Sequence, residues 1–332
     1  MIGLEGKDPM PTNAINFPKN FQNADSFARF AKVSPLVVNW HALEHCNYKC
    51  SFCYSDWNSR DEAWNTPENV RKVIENIARF HADYFGADAA PWRLSVVGGE
   101  PILFPKKAQF MVKTAVACGA EVSIITNGSH LENALPFAHL LSQVGISLDS
   151  FVHETNLKIG RQCNGHTLSF EEISDKIAAL RAVNPNVRVK VNTVVNQNNF
   201  GEVLVDKVAA LGATKYKILR QMPFGGNKGI TDDEFHVFIR NNYREDLFGH
   251  DDGKRHIFIE DNSVMTQSYL MIAPNGCLFQ NGGAEYRYSR PLMETPFEEA
   301  LKDINFSAEK FFSRYTSTAT DAILARMHEC AA

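Results

Sequence analysis

The stretch Cys46-Asn-Tyr-Lys-Cys50-Ser-Phe-Cys53 brings three cysteines together, separated first by three residues and then by two. Thiolate is a preferred ligand of iron–sulfur clusters, and each iron of a four-iron cluster needs an outer ligand. Three cysteines would therefore hold three corners of a cluster and leave the fourth iron open to a ligand that is not protein. The apolar segment at residues 36–42 runs into this stretch and predicts a buried strand before it.

These cysteines could instead bind zinc or form a disulfide. A tetrahedral zinc site needs a fourth ligand, and His45 or His41 could supply one, so a count of ligands does not exclude zinc. Zinc knuckles usually pair two short cysteine hairpins, however, and the sequence has no second pair. A disulfide is a weaker explanation, because the seven cysteines are an odd number and the start of the chain does not resemble a secretory signal.

Length and composition predict a globular protein with a sizeable core. The chain has 332 residues, of which 44% are apolar, enough for one barrel-sized domain with appendages or for two ordinary domains. Its formal net charge of -4 argues against nucleic-acid binding, which needs a basic surface. Any anion site must therefore be a local concentration of Lys and Arg.

The cysteine count and the hydropathy predict the cellular setting. Seven cysteines are too few for a disulfide scaffold, and no window is apolar for long enough to cross a bilayer. We therefore expect a cytoplasmic protein with no membrane attachment. A reducing compartment also suits an oxygen-sensitive cluster.

Strand and helix patterns alternate along the first two thirds of the chain. Six such βα units predict a parallel sheet with right-handed crossovers. Six units rather than eight favour an α/β fold of the partial (β/α)6 barrel type, although the pattern alone leaves an open doubly wound sheet possible. In both folds the functional loops follow the carboxyl ends of the strands. The predicted strands are residues 36–42, 94–97, 122–126, 146–149, 187–195 and 216–219, and the predicted helices are 66–80, 106–118, 131–144, 169–183 and 201–211.

This alternation divides the chain into three parts. Residues 1–34 are polar and predict an N-terminal arm with one short helix near residues 24–31. Residues 35–225 form the barrel core. Residues 226–332 break the pattern and are expected to form a C-terminal extension that covers the barrel mouth. Within this extension we expect a helix at 232–242, a glycine-containing turn at 249–255, alternating β residues at 257–280 and a helix that starts at 296.

The spacing Cys-x3-Cys-x2-Cys, with Phe52 before the last cysteine, resembles the signature of the radical S-adenosylmethionine (SAM) superfamily. The resemblance implies a [4Fe-4S] cluster on Cys46, Cys50 and Cys53, with SAM bound to the open iron. It also implies a SAM site at the strand ends, where two glycines allow close approach of the backbone. Taken one at a time, these residues are also ordinary turn and cap residues. The implied SAM site consists of Gly98, Gly99, Glu100, Asn127, Ser147 and Arg161.

Within this superfamily the sequence resembles the viperin-like family most specifically. Matching stretches run in family order over most of residues 36–275, although the amphipathic membrane helix of the animal members is absent. Two departures are Tyr54 after the last cysteine and Val97 before the glycine pair, where the family has other residues. The matching stretches are Val38-Asn-Trp-His41, Cys46-Asn-Tyr-Lys-Cys50, Ser147-Leu-Asp-Ser-Phe151, Ile159-Gly-Arg161, Val189-Lys-Val-Asn192, Tyr216-Lys217, Gly225 with Asn227, and Gln267-Ser-Tyr-Leu270.

The resemblance implies a reaction and its partners. The substrate would be a ribonucleoside triphosphate (CTP, UTP or GTP), and a 5′-deoxyadenosyl radical from SAM would remove the C4′ hydrogen. Loss of the 3′-hydroxyl as water, with uptake of one electron and one proton, would then give the 3′-deoxy-3′,4′-didehydro nucleotide, a chain terminator in antiviral or antiphage defence. An electron donor of the flavodoxin or ferredoxin type would be required, and Tyr269 matches the family's proposed hydrogen or electron relay. Composition alone would make Tyr269 a core tyrosine of a β segment.

The residues themselves provide a test of the triphosphate expectation. Lys190 and Asn192 alternate with valines, so both point into the lumen if the valines face the helices. Lys215 and Lys217 have the same period on the next strand. Neither strand has an acidic residue that points to the same side as these lysines. A bound anion is therefore the expected partner of their charges. The family resemblance implies that Arg161 also binds the triphosphate.

Other assignments remain possible. Asn39 and His41 alternate on the first strand and are candidate contacts to the substrate sugar or phosphates, although a buried, satisfied histidine is the plainer interpretation of His41. Lys215 could be a solvated residue at the start of its strand. The chain could also be another radical SAM enzyme acting on a nucleotide or a peptide, but Cys163, Cys277 and Cys330 have no near neighbours to hold a second cluster. A zinc-binding interaction module is the third possibility.

Overall fold

The computed structural model describes residues 35–53, 55, 61–86, 89–223, 228–248, 256–280, 286–315 and 318–329. The predicted N-terminal arm, residues 1–34, and the predicted turn at 249–255 lie outside these ranges. So do Tyr54, Gly225, Asn227 and Cys330, which the sequence analysis also named.

One sheet of ten strands organises the described chain, in the order β10-β9-β8-β1-β2-β3-β4-β5-β6-β7. All neighbours from β8 to β7 are parallel, while β9 and β10 are antiparallel additions. The six predicted parallel strands are confirmed, and the sheet is not closed, as in a partial barrel. The strands are β1 (Val37–His41), β2 (Arg93–Val97), β3 (Glu121–Thr126), β4 (Gln143–Ser147), β5 (Arg188–Val195), β6 (Lys215–Arg220), β7 (Ile257–Glu260), β8 (Leu270–Ile272), β9 (Cys277–Gln280) and β10 (Arg287–Pro291).

Helices connect the strands and cover the sheet. Pro67 begins α1 with Thr66 as its cap residue, as predicted from the preference of proline for the first helical turn. Four 3-10 helices are also present in the described chain: Ala63–Asn65, Pro101–Leu103, Leu131–Leu140 and Glu245–Phe248. The α-helices are α1 (Pro67–Phe85), α2 (Pro105–Ala117), α3 (His153–Ile159), α4 (Phe170–Val183), α5 (Val205–Ala210), α6 (Asp232–Asn242), α7 (Asn262–Met265), α8 (Phe297–Leu301), α9 (Ala308–Tyr315) and α10 (Thr318–Glu329).

The helix predicted at residues 131–144 was wrong in type and in length. Leu131–Leu140 is a 3-10 helix that contains Pro136, and β4 already begins at Gln143. Proline has no backbone N–H and its ring clashes with the preceding turn, so a regular α-helix is unfavourable there. The apolar spacing alone did not reveal this.

The two faces of the sheet differ in character. Val189, Val191 and Ile218 are fully buried on the face that packs against the helices, together with Val38 and Leu94 of the first strands. The alternate residues of the same strands face the lumen. The orientation assumed for the valines of β5 is therefore confirmed, and the lumen receives the polar residues between them.

The sheet curves strongly enough to bring distant strands together. In the sheet order, five strands separate β6 from β8. Nevertheless, Lys217 Nζ on β6 donates a hydrogen bond of 2.7 Å to the hydroxyl of Tyr269, the residue before β8. The side chains of the lumen therefore meet across the barrel and can surround a ligand.

The last third of the chain extends both edges of this sheet. β7 pairs with β6 at one edge, and β8 to β10 continue from β1 at the other. Phe238, Ile259 and Phe297 belong to the same hydrophobic core as the earlier strands. The domain boundary at residue 225 stays a prediction. None of the helices in the described ranges combines the length and the apolar character that crossing a bilayer requires.

Candidate active site

The cysteine loop begins where the backbone leaves β1, and two glycines hold its first residues. The N–H of Gly99 donates to the carbonyl of Leu43 at 2.8 Å, and the N–H of Glu100 donates to the carbonyl of His45 at 2.8 Å. A Cβ on Gly99 would lie 1.9 Å from the oxygen of His45, and one on Gly98 would lie 2.5 Å from the oxygen of Leu43. Only glycine permits this approach, so the Gly98-Gly99 pair positions the segment that enters Cys46.

A third glycine holds the other side of the loop. Gly160 has φ of +87°, in the left-handed region, and a Cβ there would lie 2.2 Å from the carbonyl oxygen of Lys49. The N–H of Lys49 donates to the carbonyl of Gly160 at 3.2 Å, and the N–H of Ser51 donates to the carbonyl of Ile159 at 2.8 Å. Cys50 is therefore fixed between the end of β1 and the end of α3.

The end of β3 contributes an amide to the loop. Asn127 Nδ2 donates to Asn47 Oδ1 at 2.8 Å and lies 3.7 Å from Cys46 Sγ. The backbone N–H of Tyr48 donates to the same sulfur at 3.4 Å. Two N–H donors thus point at Cys46 Sγ, an arrangement that stabilises negative charge on the sulfur and suits a metal-bound thiolate.

The side chain of Glu100 holds Asn127 in place through hydrogen bonds to the end of β3. Its carboxylate is completely buried and accepts hydrogen bonds from Thr126 Oγ1 at 2.8 Å and from the backbone N–H of Asn127 at 2.6 Å. Burial raises the pKa of Glu100 to about 7, although these hydrogen bonds lower it. The carboxylate therefore ties β2 to β3, and its contact with SAM stays a prediction.

The three cysteines fit a cluster better than a single metal ion. Cys46, Cys50 and Cys53 are free, half-buried thiols. Across the described ranges, no three His, Cys, Asp or Glu side chains converge as a single metal ion would require. A four-iron cluster needs no such convergence, because each thiolate binds a different iron. Burial raises the pKa of Cys46 to about 11 and that of Cys50 to about 12, whereas a metal deprotonates a coordinating thiol.

Arg161 lies beside the cysteine loop in an ion pair with Asp149. Both side chains are buried, and the Arg161 Nε–H donates to Asp149 Oδ2. Burial lowers the pKa of Arg161, but the charge of Asp149 outweighs it and holds that pKa above its ordinary value. Asp149 also accepts from the backbone N–H of Val194 at 2.7 Å. Asp149 lies in a stretch that resembles the family, but its pairing with Arg161 was not predicted.

The predicted lysines do gather in the lumen. In the sheet register Lys190 is paired with Lys215, and Asn192 is paired with Lys217 and with Ser147. Burial and then the charges of Lys217 and Lys215 hold the pKa of Lys190 well below its ordinary value. Asn192 Oδ1 is buried with no hydrogen-bond partner among the described residues. Polar groups that lack protein partners in a lumen are the groups that a ligand can satisfy.

The expectation that Lys217 has no acidic partner was wrong. No acidic residue lies on the same face of β5 or β6, but Glu260 at the end of β7 lies 2.6 Å from Lys217 Nζ. Sequence reasoning missed Glu260 because β7 was not recognised as the next strand of the sheet. The segment Ile257-Phe-Ile-Glu260, three apolar residues followed by an acidic one, was the signal that could have located it.

Tyr269 lies at the centre of this polar group. Its hydroxyl donates to Glu260 Oε2 and accepts from Lys217 Nζ at 2.7 Å. The guanidinium carbon of Arg314, from α9, lies 3.4 Å from the centroid of the Tyr269 ring. Arg314 Nε also donates to Glu260 Oε1 at 3.0 Å. Tyr269 was predicted from the family resemblance, whereas Arg314 lies in no motif and was not predicted.

Asn39 and His41 lie on the lumen side of β1. Asn39 Nδ2 approaches the carbonyl oxygen of Leu270 at 3.5 Å, the outer limit of a hydrogen bond. The His41 ring packs edge-on against Phe279, with 5.2 Å between the centroids. Burial lowers the pKa of His41 to about 4, so the ring is neutral at pH 7. His41 can therefore offer a hydrogen bond to a ligand but no charge.

The fold and the sheet-end site define a radical SAM protein. Residues 42–204 match the family model described as the radical SAM superfamily. The fold is similar to that of Streptococcus suis SuiB bound to S-adenosylmethionine, with a TM-score of 0.60 and 13% identity over 83% of this chain and 68% of that one. Enzymes of this superfamily use a [4Fe-4S] cluster and SAM, and the cysteine loop described above suits that cluster.

Sequence relatives narrow the class further. The chain is 48% identical over 311 residues to an S-adenosylmethionine-dependent nucleotide dehydratase of Fibrobacter sp. (strain UWH6), covering 90% of this chain and 93% of the relative. It is 37% identical over 289 residues to a protein of the same name from Psychrobacter lutiphocae, covering 84% and 94%. The chain belongs to the family of S-adenosylmethionine-dependent nucleotide dehydratases.

Proposed function

We propose that this protein converts a ribonucleoside triphosphate into its 3′-deoxy-3′,4′-didehydro analogue by removing the 3′-hydroxyl as water. The relatives carry the name nucleotide dehydratase, which supports a nucleotide substrate and loss of water. CTP, UTP and GTP are the candidate substrates. Another radical SAM reaction on a nucleotide or a peptide is the alternative.

The charge of the lumen is the observation that carries the proposal. Lys190, Lys215, Lys217 and Arg314 interact electrostatically with one another and with Glu260. Among the described residues of this cluster, four cationic side chains therefore share one carboxylate. Lys217 is buried, while Lys190 and Lys215 are half-buried. Lysine is rarely removed from water unless its charge is compensated, and a triphosphate supplies several negative charges at once. A neutral substrate would leave this excess of positive charge uncompensated.

The chain's own residues would divide the work between binding and reaction. The lysines would hold the triphosphate and so fix the ribose relative to the cysteine loop. When bound, the cluster and SAM supply the carbon radical that takes a hydrogen atom from the substrate. Asn39 and His41 would contact the sugar or phosphates from β1. Tyr269 would supply the electron that completes the reaction.

We also propose an electron donor, a cellular compartment and a biological role. A flavodoxin or ferredoxin type of protein would reduce the cluster, and the protein would act in the cytoplasm. A nucleotide without a 3′-hydroxyl cannot be extended by a polymerase. The product would therefore terminate growing chains, which supports a role in antiviral or antiphage defence.

The test is a direct assay of product. Anaerobically reconstituted protein, dithionite and SAM are incubated with each of the four ribonucleoside triphosphates, and mass spectrometry detects a nucleotide that has lost one water. We expect this product from at least one triphosphate, and none when SAM is omitted or when Cys50 is replaced by Ala. Active SAM cleavage without loss of water from any triphosphate would contradict the proposal.

A further inference from the structure

Glu260 is the one lumen carboxylate of the described cluster, and three functional side chains meet on it. Its side chain is 5% exposed. Lys217 Nζ lies 2.6 Å from Oε1, Arg314 Nε donates to Oε1 at 3.0 Å, and the Tyr269 hydroxyl donates to Oε2. One oxygen therefore holds the two cations, while the other accepts only the phenol among these three groups.

The charge state of Glu260 follows from these contacts. Burial raises the pKa of Glu260, but the charges of Arg314 and Lys217 outweigh burial and lower it to about 2. The group is therefore a carboxylate at pH 7 and the acceptor in its hydrogen bond with Tyr269. A hydrogen bond from a neutral phenol to a buried carboxylate is strong and directional.

Arg314 places a second constraint on Tyr269. Its guanidinium carbon is 3.4 Å from the ring centroid, so a full positive charge rests on the aromatic face. That charge is attracted to the neutral ring but would repel a ring that had lost an electron and kept its proton. Tyr269 can lose an electron at low cost only if its proton leaves at the same time.

We propose that Glu260 accepts the phenol proton of Tyr269 when Tyr269 gives one electron to the substrate radical. The inference rests on the proposed nucleotide dehydration. An oxidised phenol is a strong acid, so a carboxylate in direct hydrogen-bond contact takes its proton readily. Lys217 and Arg314 then act as positioning residues that keep Glu260 ionised and aimed at the hydroxyl.

The C3′–O bond of the substrate radical breaks, and the hydroxide takes one proton from solvent and leaves as water. The resulting substrate radical cation takes one electron from Tyr269, while the phenol O–H bond breaks and its proton moves to Glu260. The didehydro nucleotide, a neutral phenoxyl radical and a neutral carboxylic acid remain. One electron from a reduced flavodoxin or ferredoxin type of protein, together with the proton on Glu260, restores the tyrosine.

The variant Glu260→Gln tests this role, because glutamine keeps the size of the side chain but cannot take the proton. We expect SAM cleavage to continue while the amount of dehydrated nucleotide formed per SAM cleaved falls at least tenfold. Nucleotide affinity should stay the same or increase, because Lys217 loses its carboxylate and the lumen gains positive charge. A purely structural role would weaken affinity and product yield together.

Two further variants complete the design. Glu299→Gln makes the same chemical change at an exposed ion pair on α8 and should match the wild type in every readout. If Glu260→Gln loses SAM cleavage, Glu260→Asp decides, because it keeps the carboxylate but moves it away from the phenol. We expect its product per SAM cleaved to fall at least threefold, and a wild-type ratio would overturn the proposal.

A spectroscopic readout separates this inference from the function on which it rests. With limiting reductant, rapid freezing of the wild-type reaction should trap a phenoxyl radical by electron paramagnetic resonance, and Glu260→Gln should not show it. A wild-type ratio of product to SAM cleaved in Glu260→Gln overturns the role of Glu260. Failure of the wild type itself to dehydrate any nucleotide overturns the proposed function instead.

Discussion

Replacing Lys190 by methionine separates ligand binding from protein stability. The ammonium of Lys190 makes no hydrogen bond or ion pair with any residue that the structure describes, and it is held near Lys215 and Lys217. Its pKa lies well below the ordinary value because of burial and these neighbouring charges. Methionine keeps an unbranched side chain of similar size and removes the charge. The free protein therefore loses a repulsive group, while a bound triphosphate loses a partner.

The size of the effect follows from the bond that is lost. A hydrogen bond to a charged group contributes about 1.5–3 kcal/mol, and each 1.4 kcal/mol changes affinity about tenfold. Nucleotide affinity should thus fall roughly 10- to 150-fold. The thermal stability of the nucleotide-free protein should stay the same or rise, because a half-buried ammonium near two other lysines is unfavourable. General damage to the fold would lower both quantities.

Calorimetric titration with CTP, UTP and GTP measures the first quantity, and thermal unfolding without nucleotide measures the second. Lys113→Met is the matched control, since Lys113 is exposed on α2 and the chemical change is identical. We expect the control to bind nucleotide like the wild type. Unchanged affinity in Lys190→Met, with an intact fold, would refute the assignment of the lysines to the triphosphate.

Tyr269→Phe should leave SAM cleavage active while dehydrated nucleotide falls, and product at the normal rate would remove Tyr269 from the reaction. Gly99→Ala should lower the iron content of reconstituted protein, because its Cβ would lie 1.9 Å from the oxygen of His45, and a full cluster would contradict the role of this glycine. Burial lowers the pKa of Lys215 from 10.5 to about 8, so between these pH values the unfolded chain keeps a proton that the folded protein has lost. The free energy of unfolding should therefore gain a contribution that rises with pH over this window, while nucleotide affinity falls. Lys215→Met should reduce both slopes.

Local patterns were sufficient to predict the scaffold and the cysteine loop. Valines alternating with Lys190 and Asn192 gave the orientation of β5, because a strand places successive side chains on opposite faces. Thr66 and Pro67 gave the start of α1 through helix-end preferences. The position of Cys46 after an apolar strand predicted its place at the carboxyl edge of the sheet. Each of these inferences depends on residues that are close in sequence.

Contacts between distant segments could not be predicted in this way. Glu260 reaches Lys217 because β7 joins the sheet beside β6, and Arg314 reaches Tyr269 from a helix 45 residues further along the chain. No local pattern fixes either placement. The ion pair of Asp149 with Arg161 also depends on how the chain after β4 folds back. Packing across the barrel decided these partners.

The metal content of anaerobically purified and reconstituted protein tests the central claim most directly. Three thiolates on a loop held by glycines should bind an iron–sulfur cluster with one open iron. We predict about four irons and four sulfides per chain. The electron paramagnetic resonance spectrum of the reduced protein should change when SAM is added, because SAM binds the open iron. A protein that contains zinc, or neither iron nor acid-labile sulfide, would contradict the account.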